Sequence, residues 1–433
     1  MPTLRRISLI VIAMGVLAGI GGGALYAFNR LYYAVQIAEV AAPAPSQAEI
    51  ARGHYLALAG DCAACHTAPG GAPYAGGLKL DTGFGIVAAS NITPDRETGI
   101  GGWTTKQFIL ALRHGIGDHG KRLYPAMPYT AYAKVSDADL TAIKAYFDTL
   151  PAVHHAVIAN QMPFPFDIRL TMVGWNLLFF DFGGAEYRPD RTQTAEWNRG
   201  AYLVQGLGHC ATCHTPKNLL GADEAGRYMQ GMELQGWWAP DLTSNTRTGL
   251  GSWPAGDIVA FLKTGANAHM VAAGPMAEVV TNSTQYLTMP DLQAMAVYLK
   301  SLPASPGHAS PPVPPSDPQM VVGQAIYAAH CAACHGQDAR GLPGMISAFA
   351  GSPSVQAPNA GNLIRTVLSG GQAASTAANP AGIAMPAFGG TLSDAQVAAV
   401  LTYLRNSWGN RAAAVTAHQV AVKRRELRAR PSS

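Results

Sequence analysis

The chain has 433 residues, 48% hydrophobic and only 13% charged, with a formal net charge of +4. About 25% charged residues is ordinary for a globular domain, and the five bases and one acid between Lys423 and Arg430 account for the whole net charge. The body of the chain is close to neutral, which excludes the clustered basic face that nucleic-acid binding needs; the length predicts two to four domains.

Arg5 and Arg6 precede an unbroken apolar run from Ile7 to Phe28. Twenty-two residues at about 1.5 Å each make about 33 Å of helix, enough for a bilayer core of about 30 Å. A removed signal has an apolar stretch of about 7–15 residues. The run therefore predicts a retained N-terminal transmembrane helix within an anchor segment, 1–35, with a cut after Ala24 as the alternative. Either way the arginines stay in the cytoplasm, and the bulk of the chain lies on the periplasmic side of the inner membrane.

All six cysteines fall in pairs, in CAACH at 62–66, CATCH at 210–214 and CAACH at 331–335. Two cysteines three apart reach one edge of a haem, and a helical turn brings the following histidine under the iron. Cys-x-x-Cys-His thus reads as c-type haem attachment. Cys62 and Cys65, Cys210 and Cys213, and Cys331 and Cys334 are expected to hold three covalent haems c, with His66, His214 and His335 as iron ligands. A zinc site would need two more ligands near each pair, and no spare cysteine exists. A dithiol redox pair needs no following histidine.

The text around these motifs repeats. Arg52-Gly53-His54-Tyr55-Leu56, Arg199-Gly200-Ala201-Tyr202-Leu203 and Val322-Gly323-Gln324-Ala325-Ile326-Tyr327 read as helices entering each site. Trp103 and Trp253 each open an apolar helix after the first two sites, and residues 363–368 correspond in the third. Closing helices are predicted from caps at Ser136, Thr288 and Ser393. The predicted fold class is all-α: three tandem cytochrome c-like domains with Gly- and Pro-rich loops, behind the N-terminal helix. Domain one spans 46–152. A connecting apolar segment and domain two span 153–303, a Pro-rich linker 304–317 and domain three 318–410; a basic tail, 411–433, ends the chain.

Each iron needs a sixth ligand, and thioether sulfur opposite histidine raises the potential. Position shortly before the closing helix selects Met127, Met276 and Met385 among the fourteen methionines. Met270 and Met289 are rivals of Met276, and His269 competes with it. The apolar segment 162–182 reads as packing between modules; a surface that docks a catalytic partner or touches the bilayer is the alternative. The basic tail reads as a solvated end, with contact to anionic lipid as the sharper alternative.

With these repeats in view, the chain resembles the triple-haem cytochrome c subunits of bacterial membrane-bound dehydrogenases. Those include the alcohol and aldehyde dehydrogenases of acetic acid bacteria and the gluconate, sorbitol and fructose dehydrogenases. The resemblance rests on GDCAACHTAPGG at 60–71, AGGL at 75–78, NITPDRETGIGGW at 91–103 and LYPAMPY at 123–129. It continues through LGHCATCHTPKN at 207–218, GPMAEVV at 274–280 and SWGN at 407–410. It implies an electron-transfer subunit, not itself the seat of substrate chemistry. A separate catalytic subunit would use pyrroloquinoline quinone, flavin or a molybdenum cofactor, and electrons would go on to membrane ubiquinone. An alcohol or aldehyde dehydrogenase complex is favoured slightly. The alternatives are a free-standing multihaem shuttle, the haem subunit of a terminal oxidase, or a peroxidase with one open iron. No Ser-His-Asp grouping, paired-carboxylate signature or Gly-rich nucleotide loop is visible.

Overall fold

The computed structural model describes residues 19–33, 44–180, 186–307 and 310–429. The chain divides into two compact units, one of residues 1–54 and 66–188, the other of residues 55–65 and 189–433.

In the first unit the entering helix Gln47–Ala59, which runs on into the second unit from Tyr55, crosses the closing helix Asp137–Phe147 at Gly53. A Cβ there would lie 1.8 Å from the Ala142 carbonyl oxygen and 2.9 Å from Tyr146 Cβ. Only glycine allows backbones this close. Beside it, Arg52 donates from Nε to Asp139 Oδ1 at 2.8 Å. Asp139 stands in the first turn of the closing helix, where a carboxylate also suits the helix dipole.

The second unit makes the same crossing twice. Ala195–Tyr202 meets Met289–Ser301 at Gly200, and Pro318–His330 meets Asp394–Arg405 at Gly323. A Cβ would lie 1.8 Å from the Ala294 oxygen in one and 2.2 Å from the Ala399 oxygen in the other. Arg199 repeats the ion pair, reaching Asp291 at 2.7 Å. The third crossing has Val322 in place of the arginine, and Gln396 in place of the aspartate closes a capping box with Ser393. Ser136, Thr288 and Ser393 all cap their helices, their side-chain oxygens accepting the N–H of Asp139, Asp291 and Gln396.

The middle helices are Thr105–His114, Ala255–Thr264 and Gly361–Ser369. The first two end in left-handed glycines, Gly115 and Gly265. The first begins at a capping box of Thr104 and Gln107, one residue beyond the expected tryptophan.

The all-α expectation is corrected. Helices cover only 45% of the described residues. Among the described residues there are three two-stranded antiparallel ribbons: Lys79–Asp81 with Ile86–Ala88, Met232–Leu234 with Trp237–Ala239, and Gly371–Gln372 with Ala384–Met385. The second closes through Gln235 (φ 52°) and Gly236 (φ 79°), the paired positive φ of a two-residue hairpin turn. Strands of two or three residues are too short to show an alternating pattern in a sequence.

The expected N-terminal transmembrane helix is also corrected. Residues 7–18 of its apolar run lie outside the described residues, and 19–33 are helical. Among the described residues no helix is long and apolar enough to cross a membrane. The described helix has fifteen residues, too few to span a bilayer core of about 30 Å at about 1.5 Å each, and its last turns dock on protein. Asn29 is buried, donates to the Gly120 carbonyl at 2.9 Å and accepts from Arg122 Nε at 2.6 Å. Tyr33 packs with Leu110 and Ile116.

The basic tail is likewise an ordered element over Ala417–Ala429. Lys423 pairs with Glu426 at 2.7 Å, and Arg424 with Asp394 at 2.7 Å. Two of the tail's five bases are therefore tied to acids on the third module's helix and on the tail's own turn.

Candidate functional site

The first motif forms the helical turn Cys62–His66, and Ala211–His214 and Ala332–His335 repeat it behind Cys210 and Cys331. One turn of helix sets residues three and four apart on a common face. It therefore presents Cys62 with Cys65 and His66, Cys210 with Cys213 and His214, and Cys331 with Cys334 and His335. None of the six sulfurs is in a disulfide. Burial pushes the Cys62 and Cys210 thiols up to about 12 and those of Cys65 and Cys331 up to about 11, and it raises Cys213 as well. These are neutral sulfurs, not poised thiolates. Among the described residues no three His, Cys, Asp or Glu side chains converge on a metal position. Paired sulfurs on one helical face with a single histidine behind them match the pattern of covalent haem attachment.

The imidazoles carry the decisive geometry. His66 Nδ1 lies 2.6 Å from the Ser90 carbonyl oxygen, His214 Nδ1 2.7 Å from that of Pro240, and His335 Nδ1 3.2 Å from that of Ser347. A carbonyl only accepts, so each Nδ1 holds the proton and donates it. Burial holds all three imidazoles below their ordinary pKa, in the neutral form. Nε2 is thereby left with a free lone pair. An iron ligand needs that tautomer, and the partner of the second nitrogen fixes it.

Ser90 and Pro240 each precede a loop, 91–103 and 241–253, built on one plan. Ile100 N–H donates to the Thr93 carbonyl at 2.9 Å, and Leu250 N–H to that of Thr243 at 2.8 Å. Asp95 Oδ1 accepts from Thr98 N–H at 2.7 Å, and Asn245 Oδ1 from Thr248 N–H at 3.1 Å. A Cβ on Gly99 or Gly249 would strike the Thr93 or Thr243 oxygen at 2.3 or 2.4 Å. The repeated string holds one carbonyl under one histidine. In the third site the Phe349 ring stacks on His335 at 4.2 Å instead. These orienting carbonyls belong to Ser90, Pro240 and Ser347, and no side-chain motif announces them; the start of the repeated loops one residue later is the only signal in the sequence.

The candidate sixth ligands sit in three different settings. Met127 is half-buried in a tight turn, its N–H bonded to Tyr124 and its carbonyl to the Tyr129 N–H. Met276 is half-buried in the first turn of Pro275–Asn282. Gly274 before it has φ 57° and lies where a Cβ would meet the Trp237 ring at 2.5 Å. Met385 ends a ribbon strand opposite Gly371. Of the rivals, Met289 is 47% exposed, and Met270 places its sulfur 4.0 Å from Ser354 Oγ. His269 pairs with Asp257 at 2.9 Å and stacks on Trp253 at 5.0 Å.

A model of the cytochrome c family matches residues 50–151 and 320–408. The gluconate 2-dehydrogenase cytochrome c subunit of Pantoea cypripedii is 40% identical over 402 residues, 88% of this chain and 90% of that relative. The fructose dehydrogenase cytochrome subunit of Gluconobacter japonicus is 38% identical over 410 residues, 87% of this chain and 84% of that one. This chain belongs to the family of cytochrome c subunits of dehydrogenases. One of the subunits of a nicotinate dehydrogenase from Pseudomonas putida is 41% identical over 434 positions, 97% of this chain, and the chain spans 35% of that relative's length. The family model takes in the first and third attachment turns of this cytochrome c subunit. The second turn stands outside the matched stretches and repeats the same Nδ1–carbonyl bond, from His214 to Pro240.

Proposed function

We propose that this cytochrome c subunit carries three covalently attached c-type haems. In this reading it passes electrons from a catalytic dehydrogenase subunit to ubiquinone at the periplasmic side of the inner membrane. The threefold recurrence of one arrangement carries the reading: two cysteine sulfurs, a histidine on the same helical turn, and a carbonyl that fixes its tautomer. A bound haem supplies a one-electron iron couple. The chain's own parts hold it by Cys62 and Cys65, Cys210 and Cys213, and Cys331 and Cys334. His66, His214 and His335 offer Nε2, and Met127, Met276 and Met385 supply thioether sulfur, which raises the potential. The relatives' names cover gluconate, fructose and nicotinate oxidation. In this reading the electron carrier is the shared part, and the catalytic partner, with pyrroloquinoline quinone, flavin or molybdenum as its cofactor, sets the substrate.

Two measurements test this. Haem per chain, from the pyridine haemochrome spectrum against protein mass, should be three; two or fewer would overturn the count. Mass spectrometry after mild detergent extraction from native membranes should find a large catalytic dehydrogenase chain with it. A fully loaded cytochrome that comes out alone would favour a free-standing shuttle.

A further inference from the structure

The carbonyls that orient His66 and His214 stand 24 and 26 residues beyond them, each followed by the loop of its own module. The third stands only 12 residues beyond His335, and its bond is the longest of the three, 3.2 Å. The string of 91–103 and 241–253 is not repeated after Ser347. The second module supplies the missing support. Val271 N–H donates to Ser347 Oγ at 3.0 Å, and Gly344 N–H donates to the Asn267 carbonyl at 3.0 Å. Ser347 is thus held through its hydroxyl by one module and gives its carbonyl to the histidine of the other.

The holding segment, 267–271, is itself fastened. Asn267 is buried; its Nδ2 donates to the Asp257 carbonyl at 2.9 Å, and its Oδ1 accepts from the N–H groups of His269 and Met270 at 2.8 and 2.9 Å. Asp257 lies in the helix Ala255–Thr264, so the support traces back to the second module's middle helix.

The third module acts on the second in the same way. Asn362, in the helix Gly361–Ser369, grips the backbone of Trp238 at two points. Its Oδ1 accepts the Trp238 N–H and its Nδ2 donates to the Trp238 carbonyl, both at 2.7 Å. Trp238 lies in the strand Trp237–Ala239, and the next residue is Pro240, whose carbonyl orients His214. Arg365 of the same helix covers the Trp237 ring at 4.4 Å. A side-chain amide that both accepts and donates fixes the direction of a strand as well as its distance.

We propose that the second and third modules orient each other's iron-binding histidines: Asn267 and Val271 steady the Ser347 carbonyl under His335, and Asn362 steadies the strand that ends at the Pro240 carbonyl under His214. All four are positioning residues. The inference rests on the haem-carrying reading above. A firm partner on Nδ1 makes Nε2 more basic. A carbonyl that drifts makes it less so, gives ferric iron less electron density and raises that haem's potential. Each of these two potentials is therefore set in part from the neighbouring module.

The test is a redox titration of the full, haem-loaded chain followed by electron paramagnetic resonance, which reads each low-spin ferric haem separately. Ser347→Ala should move one haem signal to higher potential, and Asn267→Ala, on the other module, should move the same one. Asn362→Ala should move a different one, also upward. Ser347→Thr keeps the hydroxyl and should restore the parent value. Ser347 is half-buried in a loop, so its truncation is mild, and Ser347→Ala with either asparagine variant suffices to compare signals. Roles confined to each residue's own module predict the other grouping, with Ser347 and Asn362 acting on one haem and Asn267 on another. That grouping overturns the proposal. So does an equal shift of all three haems, which marks general loosening, and so does a titration unmoved by Ser347→Ala or not restored by Ser347→Thr. Failure of the haem-carrying reading shows beforehand and separately, as fewer than three haems in the parent's pyridine haemochrome spectrum.

Discussion

The Nδ1 of His66 and the carbonyl oxygen of Ser90 lie 2.6 Å apart, and the next residue, Asn91, anchors the loop that holds that carbonyl still. Asn91 Nδ2 donates to Thr98 Oγ1 at 3.0 Å and to the Val153 carbonyl at 2.8 Å, while its Oδ1 accepts from Thr93 N–H at 2.9 Å. In the second module Asp241 takes its place and accepts from Thr243 N–H at 2.7 Å. The tautomer of the His66 imidazole is thus set two steps away, by a side chain of the neighbouring loop.

Asn91→Ala should therefore act on both stability and the first iron. It orphans buried partners, at about 1–3 kcal/mol each, which a lowered thermal midpoint would register. It also loosens the carbonyl under His66, so added imidazole should displace a ligand at one haem more readily than in the parent. Asn91→Asp keeps the accepting oxygen, as Asp241 does, and should recover most of the ligand-exchange behaviour. Equal exchange in all three proteins would remove the orienting role from this loop.

The helix crossings give a sharper stability test. Gly53→Ala, Gly200→Ala and Gly323→Ala each place a methyl within 2.2 Å of a closing-helix carbonyl oxygen. Overpacking of this kind costs about 1–3 kcal/mol and at times more. Each variant should lose thermal stability and haem yield. Gly256→Ala has nothing within 4 Å of the new methyl and lies in a helix, so it should be neutral or slightly stabilising.

The crossings also show what could be read beforehand. The glycines, the caps at Ser136, Thr288 and Ser393, and the cysteine-histidine turns all depend on side-chain identity at short range, and they stand in the sequence as repeats. The Ser90, Pro240 and Ser347 carbonyls are backbone atoms whose role depends on a fold, so no residue type marks them. The apolar run to Phe28 reads as a membrane span because hydropathy counts residues and not what Asn29 binds. The tail reads as loose because ion pairs such as Arg424 with Asp394 join residues thirty positions apart.

The methionine settings separate the candidates by ligand binding. Met127→Ala, Met276→Ala and Met385→Ala should each open one iron, so that the reduced protein binds one carbon monoxide per chain where the parent binds none. Met289→Ala should bind none, since that side chain is 47% exposed at the start of a closing helix. Met270→Ala is also expected to bind none. Carbon monoxide binding by the Met270 variant, with none by the Met276 variant, would exchange their roles.

Asp61 supplies a pH dependence. It precedes Cys62 with φ 49°, is buried, and has an Oδ1 without a hydrogen-bond partner. Burial, reinforced by the Glu278 carboxylate, pushes its carboxyl up to about 8. An unfolded chain releases that proton near pH 4. Between about pH 4 and 8 the folded state therefore holds a proton the unfolded state has lost, and folding stability falls as pH rises through that window. The contribution is whole below about pH 4 and gone above about pH 8. Asp61→Asn keeps the shape, tolerates the left-handed backbone and cannot ionise. Chemical denaturation of the holoprotein across this range should show the parent's decline flattened in the variant, which should be the more stable of the two near pH 8. Parallel curves would mean that this carboxyl is ionised in the folded protein throughout.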